Sequence, residues 1–449
     1  MLATKTAPLT RWRPGESQRW NLRRVWHLHR RVGFGATWNE LQRDLRDGPD
    51  AAIDRVVEAF KNSDRGQASG ASEQMSSVIC DAAVASNNIE RLKAWWLYRM
   101  LNSSDPLGER LTLMWHNHFA TSNVKVEDVG MMRRQNDSLR QHASKSFSTL
   151  LEALAKDPAL LVWLDADANR KEHPNENLAR EIMELFTLGV GNYSESDIKE
   201  AARALTGWTV KQEEFRNVAD RHDADQKSIF GHDGNWDGDD FIRLLLAHPA
   251  TPRRIAFRVC EMFMGETTVD DVLIDEIAQG LTQRDLDVGW AVETVLRSAA
   301  FFADANIGNR VLSPVEFVMG AVHALEINKP PPSTLLLAEV TGNLGQDLFC
   351  PPNVFGWPGG RSWLTSRAII GRANFASALV TGQLHASREP FDATRFAKNF
   401  GYTVNDQSGS FFVRLLLGRT EIPVELRPFL KNPNRLVTAI LSSPEALLG

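Results

Sequence analysis

At 449 residues the chain is long enough for two or three ordinary domains or for one large helical one. Hydrophobic residues make up 43% and charged residues 24%, enough apolar surface for a substantial core and too much for global disorder. A net charge of −5 argues against broad electrostatic binding to nucleic acid, although Arg11 to Arg31 is locally rich in arginine.

Residues 1–20 lack periodicity and read as an N-terminal tail. They hold no apolar core of a secretory signal, and no later run reaches the length of a membrane-spanning helix, so a cytoplasmic location is the default expectation. Helical patterning starts near Asn21. Thr37 and Glu40 have capping-box spacing, and Gly48 stops the helix they open. Ile53, Val56, Val57 and Phe60 continue at helical spacing. The Gly/Ser-rich residues 62–74 read as a mobile loop, and helix resumes by Ile89 with Leu92, Trp95 and Trp96. Asp105-Pro106 opens a helix through RLTLMWHNHF. Leu139 to Ala155 reads as the next, and NENLAREIMELFTLG as another, stopped by Gly189 and Gly191.

Ser194 and Asp197 again have capping-box spacing. Residues 209–240 turn polar and read as a loop insertion, holding a short hairpin or an ordered loop. Helices return over Asp239–His248, Pro252–Met264, Val269–Gln283, Val288–Ser298 and Pro314–Leu325, and NKPPPS is a rigid break. Residues 344–366 are rich in Pro, Gly and Trp and read as irregular but ordered, before helices close the chain. Few stretches alternate with period two. The expected architecture is all-α: residues 21–449 as a single large multi-helix domain with long ordered loops and little or no β-sheet.

Polar residues concentrate in two of these helices. Within NENLAREIMELF, Leu178, Ile182 and Leu185 share one face while Asn177, Glu181 and Glu184 share another, and Arg180 is within reach of both Glu176 and Glu184. Two carboxylates so spaced can bind a divalent cation or split their pKa values as acid and base. The plainer reading is a solvated face of Glu–Arg pairs. In WHNHF, residues two apart diverge on a helix, so His118 faces the core and His116 lies elsewhere. One histidine with Glu181 and Glu184 could still form a metal site between helices; a hydrogen-bonded core histidine is the alternative.

The acidic run GHDGNWDGDD lacks calcium-loop spacing and reads as a turn-rich connection with Asp239 or Asp240 near a helix cap. RVGFGAT lacks the residues of a phosphate loop and reads as a tight helix–helix turn. In GWPGGRSW, Arg361 beside Trp357 and Trp363 could meet an anion or a sugar, or merely stack on the rings. Thirteen Trp against three Tyr suits packing first, with an aromatic platform such as Trp115 or Trp357 as the alternative. Cys80, Cys260 and Cys350 have no zinc spacing and read as inert thiols, one disulfide remaining open. No nucleophile elbow occurs.

Several segments together resemble the bacterial "domain of unknown function 1800" family: HLHRRVGFGAT at 27–37, ERLTLMWHNHFATS at 109–122, NENLAREIMELFTLGVGNYSESDIKEAARALTGW at 175–208, HDADQKSIFG at 222–231, GNWDGDDFIRLLLAHPAT at 234–251, SPVEFVMGA at 313–321 and PPNVFGWPGGRSWL at 351–364. They run in the family's order over nearly the whole chain. The resemblance implies no assigned activity. It implies relatives that are often exported and often encoded beside sulfatase-like proteins, which makes such a protein a possible partner by analogy. It also implies a Lys before SPVEF, where this chain has Leu312.

Two functions follow as expectations. One is a hydrolase or transferase, metal-assisted or not. Glu181, Glu184, His118 and Arg180 would be its catalytic groups. A divalent metal would sit on His116, His118, Glu181 and Glu184, and substrate would touch Trp115, Asn177, Trp357 and Arg361. The other is a non-catalytic binding or assembly protein in which the same groups form a buried polar network.

Overall fold

The computed structural model describes residues 9–16, 18–62, 71–265, 269–327, 331–403 and 406–449. The described chain is mostly helical, and its only sheets are two antiparallel hairpins, Trp208–Lys211 with Glu214–Asn217 and Lys227–Ile229 with His232–Gly234. The all-α expectation therefore holds, and both hairpins lie in the polar stretch over 209–240. Among the described residues no helix is long and apolar enough to cross a membrane.

The cap chemistry falls where the sequence places it. Thr37 with Glu40 and Ser194 with Asp197 each form both halves of a capping box. In the acidic run the box is Asp237 with Asp240, so the helix Gly238–Ala247 starts one residue earlier than expected. The RVGFGAT turn is tight because Gly35, at φ +88°, passes over Gly320. A Cβ on Gly320 would stand 3.1 Å from the Phe34 carbonyl oxygen.

Other expectations change. The part of the expected loop at 63–70 lies outside the described residues, but 71–74 already belong to a helix, Ala71–Ala85. Its buried face is built from small side chains, Ser76, Cys80 and Ala83, while Met75 and Val78 point outward, so it shows little apolar periodicity. The helix expected over Leu139–Ala155 is two helices, Val129–His142 and Phe147–Ala155, with Ser146 capping the second. The described part of the N-terminal segment has no helix, yet it lies against the fold. Trp12 donates its amide to the Arg297 carbonyl and packs on Trp20 and Phe302. Residues 328–330 of NKPPPS lie outside the described residues. Cys80, Cys260 and Cys350 are free thiols.

Two apolar clusters organise the packing. The first gathers the helices between Pro106 and Leu188 with those from Ile198 to Phe302. The second joins Leu22, Val25, Trp26, Phe34, Trp38 and Leu41, with Leu92–Met100, to the helices after Leu312, through to Leu447. The helix Pro106–His118 runs between them. Leu107, Leu111, Met114 and Trp115 pack into the first cluster and Leu113 into the second. A helix clasped on both sides cannot leave its polar residues to water, so each of its histidines and arginines needs a partner inside the protein.

Candidate functional site

The expected carboxylate helix is regular only over Asn177–Glu181; Ile182–Thr187 widens into a π turn. The Leu188 amide reaches back five residues to the Met183 carbonyl at 2.7 Å, and the Thr187 hydroxyl does the same to Ile182 at 2.7 Å. Such turns are rare and recur at functional sites. Leu178, Ile182 and Leu185 are buried as their spacing predicts. Arg180 donates to Glu176 at 2.9 Å and to both oxygens of Glu195 at 3.0 and 2.9 Å. The expected Arg180–Glu184 pair is not made, because the helix Glu195–Ala204 brings Glu195 to the guanidinium. Glu184 instead accepts from the Tyr193 hydroxyl at 2.5 Å. Burial and the neighbouring Glu184 charge push Glu181 above the usual carboxylate range. Asn177 donates to the Leu164 carbonyl.

His116 and His118 diverge, as their spacing requires, but both are buried. His118 Nε2 donates to the Phe186 carbonyl in the π turn at 2.9 Å, so this one bond ties the WHNHF helix to the carboxylate segment. His116 Nε2 accepts from the Phe349 amide at 3.2 Å, inside a box of Trp96, Phe349 and Trp357. Its proton is therefore on Nδ1, which meets no acceptor. Burial holds His116 down at about 3, and burial with Arg258 and Arg254 holds His118 well below the usual imidazole range.

Among the described residues no group of three or more His, Cys, Asp or Glu side chains is placed to hold a metal ion. His116, His118, Glu181 and Glu184 thus do not converge as a cage: one imidazole is turned to Phe349, the other to the Phe186 carbonyl, and Glu184 to Tyr193. Trp115 is sealed in the core with its Nε1–H on the Ala143 carbonyl at 3.4 Å, so it offers no platform. Arg361 is exposed on the turn Gly360–Trp363. Trp357 borders a cavity.

That cavity is a cleft of about 160 Å³ on the flank of the WHNHF helix, lined among others by Arg110, Asn117, Arg258, Arg310, Glu316 and Trp357. Asn117 fixes one wall. Its Oδ1 accepts from the Trp357 amide at 2.7 Å and its Nδ2 donates to the Trp357 carbonyl at 3.3 Å. A Cβ on Gly356, at φ +74°, would meet that same Asn117 side chain at 2.1 Å.

The floor is ionic. Glu316, buried in the helix Pro314–Ala324, takes Arg110 and Arg310 together on its Oε1, while its Oε2 accepts the Ser313 amide at 2.7 Å in a capping box. Behind this carboxylate lie three more buried arginines. Arg30 donates to the Leu416 carbonyl at 2.9 Å, Arg31 to the Asn306 carbonyl at 3.0 Å, and Arg372 to the Leu312 carbonyl at 2.7 Å. The faces of Trp26, Phe34 and Phe317 cover Arg30, Arg110 and Arg372. Carbonyls and ring faces solvate a cation without neutralising it, so among the described residues Glu316 is the carboxylate that faces four buried guanidiniums and the part-buried Arg310. Among the described residues the Nε–H groups of Arg31, Arg110, Arg258, Arg310 and Arg372 have no acceptor. Burial lowers Arg30, Arg110 and Arg372 to about 10, while Glu316, raised by burial, is held at about 2 by Arg110 and Arg310. Leu312, where the resemblance implies a Lys, is buried in the second cluster and gives its carbonyl to Arg372.

Arg30, Arg31 and Arg110 stand within the family-like stretches HLHRRVGFGAT and ERLTLMWHNHFATS, but no spacing there points to a cluster of charge. The five of the floor come from four places in the chain, 30–31, 110, 310 and 372. The one local signal is a charged residue inside an apolar helix, Arg110 before LTLMW and Glu316 within SPVEFVMGA.

A helical protein with a sealed histidine pair and a buried arginine floor under a small cleft is what the fold and the site define. The chain belongs to the family described as "Protein of unknown function (DUF1800)", whose model matches residues 27–448. No curated protein and no solved structure matches it significantly.

Proposed function

We propose that the chain is a binding protein for a negatively charged ligand, seated in the cleft of Arg110, Arg258 and Arg310, and that WHNHF and NENLAREIMELF brace that seat instead of performing chemistry. The observation that carries this reading is a cleft lined by three guanidiniums, Arg110, Arg258 and Arg310, against two carboxylates, Glu261 and Glu316, with Arg30, Arg31 and Arg372 buried near Glu316. Burying a cation without a counter-charge is costly, and proteins retain such arrangements where an anion completes them. The hydrolase or transferase reading needs Glu181, Glu184 and one histidine at a common reachable cavity. Both imidazoles are instead turned to backbone groups in the core.

Trp357 and Trp363 line the same cleft, so intrinsic fluorescence reports on it. Titration with small anions at constant ionic strength should give a saturable change that Arg310→Met abolishes and Glu181→Gln leaves intact. A signal with no saturation for any anion would sink the reading. Stoichiometric divalent metal in the purified protein, lost on Glu181→Ala, would favour the enzyme instead.

A further inference from the structure

A second surface lies on the helices Thr334–Asn343 and Ser366–Val380, which run antiparallel. The Ser333 amide at the start of one meets the Leu384 carbonyl past the end of the other at 2.9 Å, and a Cβ on Gly371 would stand 2.7 Å from the Leu344 side chain. Between them lies an open groove of about 530 Å³, lined by Val340, Leu344, Ile370, Phe375 and Ala378 among others. Helical spacing builds both walls. Leu336, Val340 and Leu344 recur at every fourth residue of one helix, and Arg367, Ile370, Asn374 and Ala378 at every third or fourth of the other. Ile370 is 61% exposed, so this apolar face lacks the cover that such a face normally has.

The same chain carries an outward ridge of matching kind. The helix Ala71–Ala85 turns Ser76, Cys80 and Ala83 inward and leaves Met75 and Val78 exposed at 51% and 63%, with Ala82 continuing the row. A helical ridge laid in a groove between two helices is a recurrent mode of recognition. Charge matches the two surfaces. Arg367 is the one charged residue lining the groove, and Asp81 stands on the ridge one turn after Val78; neither makes an ion pair among the described residues. Glu73, the other acid of that helix, is taken by Arg99.

Position and size favour a reciprocal arrangement. Ridge and groove flank the helix Ile89–Asn102. Trp95 and Arg99 reach Ser76 and Glu73 on one side, and Lys93 reaches Asp347, just past Leu344, on the other. Residues 93 and 95 point nearly opposite ways on a helix. Two interaxial distances, roughly 20 Å, thus separate ridge from groove. A twofold axis beside Ile89–Asn102 would seat each ridge in the groove of the other copy. A single such contact, with nine groove residues, falls short of the about 20–30 residues a side of a standard interface; two contacts, ridges included, come near it. We infer that two copies of this chain form a twofold dimer, the Met75–Val78–Ala82 ridge of each lying in the groove of the other, with Asp81 facing Arg367.

The test is sedimentation velocity of the full-length protein at concentrations up to about 100 µM. The expected result is a dimer. Ile370→Asp should give a monomer with an unchanged circular dichroism spectrum, because this exposed side chain supports no core. Arg367→Asp and Asp81→Arg should each weaken association roughly tenfold or more by setting like charges together, and the two changes in one chain should restore it. Should Ile370→Asp not fold, Val78→Asp on the ridge serves. A monomer at every concentration would overturn the dimer and leave the groove to a helix of another protein. A dimer that Ile370→Asp leaves whole would overturn it as well. A dimer broken by Ile370→Asp but not restored by the paired reversal would put another face of the copy in the groove and overturn the pairing with Ala71–Ala85.

Discussion

Replacing Glu316 by glutamine removes one negative charge and almost no volume. The glutamine carbonyl can still accept the Ser313 amide, so the helix cap survives. What disappears is the counter-charge that Arg110 and Arg310 share, with Arg30, Arg31 and Arg372 close behind. Removing one partner of a buried ion pair costs about 3–5 kcal/mol, because the other charge stays buried and unpaired. Unfolding entropy near 2.1 cal/mol/K per residue amounts to about 0.9 kcal/mol/K over 449 residues, so the thermal midpoint should fall by about 3–5 °C if the chain unfolds as one unit. Scanning calorimetry measures this directly. The sharper signature is non-additivity: adding Arg110→Met to Glu316→Gln should restore part of the loss, since an apolar side chain then replaces an orphaned cation. A midpoint moved by less than about 1 °C, or strictly additive losses, would refute the claim that the cleft floor is short of negative charge.

Acid should weaken the fold through its sealed imidazoles. His27, His116 and His118 are held below their usual value of 6.5 by burial, so below about pH 6.5 the unfolded chain takes up protons that the folded chain refuses, and stability present above that pH is lost as pH falls. Asp157, raised to about 6 by burial, acts in the opposite sense because its folded form gains a proton first. Three sealed imidazoles outweigh this one carboxyl, so stability should fall as pH drops below about 6.5. A urea midpoint that stays constant between about pH 7 and about pH 5 would contradict this. Asn117→Leu should release the Trp357 backbone at a cost of about 1–3 kcal/mol and speed amide exchange there; unchanged protection at Trp357 would argue against the clamp. Gly320→Val should cost about 1–3 kcal/mol by driving a side chain against the Phe34 carbonyl, and a wild-type denaturation midpoint would show that the contact yields freely.

What could be read from the sequence was what neighbouring residues decide among themselves. The capping boxes at Thr37–Glu40 and Ser194–Asp197 need four residues each, and both form. The divergence of His116 from His118 follows from helix geometry alone, and so does the buried face of Leu178, Ile182 and Leu185. The helix Ala71–Ala85 is not legible because its buried side chains, Ser76, Cys80 and Ala83, are small and leave no apolar stripe. The partner of Arg180 depended on where the next helix begins, and the π turn depends on a register that residue spacing does not encode. The arginine floor was the least legible feature. Its members stand at 30, 31, 110, 310 and 372, and only the tertiary fold sets them around one carboxylate.

The second apolar cluster has a consequence for synthesis. Trp26 Nε1 and Arg30 both donate to the Leu416 carbonyl, 390 and 386 residues away in sequence, and Leu22, Val25 and Trp26 pack in one cluster with Phe411, Leu436 and Leu447. On the ribosome the amino-terminal helix emerges long before the segment that covers it. Leu28 and Val32 have partners in the first cluster, but Leu22, Val25 and Trp26 must wait for theirs. Contacts of such long span slow folding and leave nascent surface open to wrong partners, the situation in which chaperones engage a chain. Arg30 of the arginine floor, for one, finds its carbonyl partner only once Leu416 has been made.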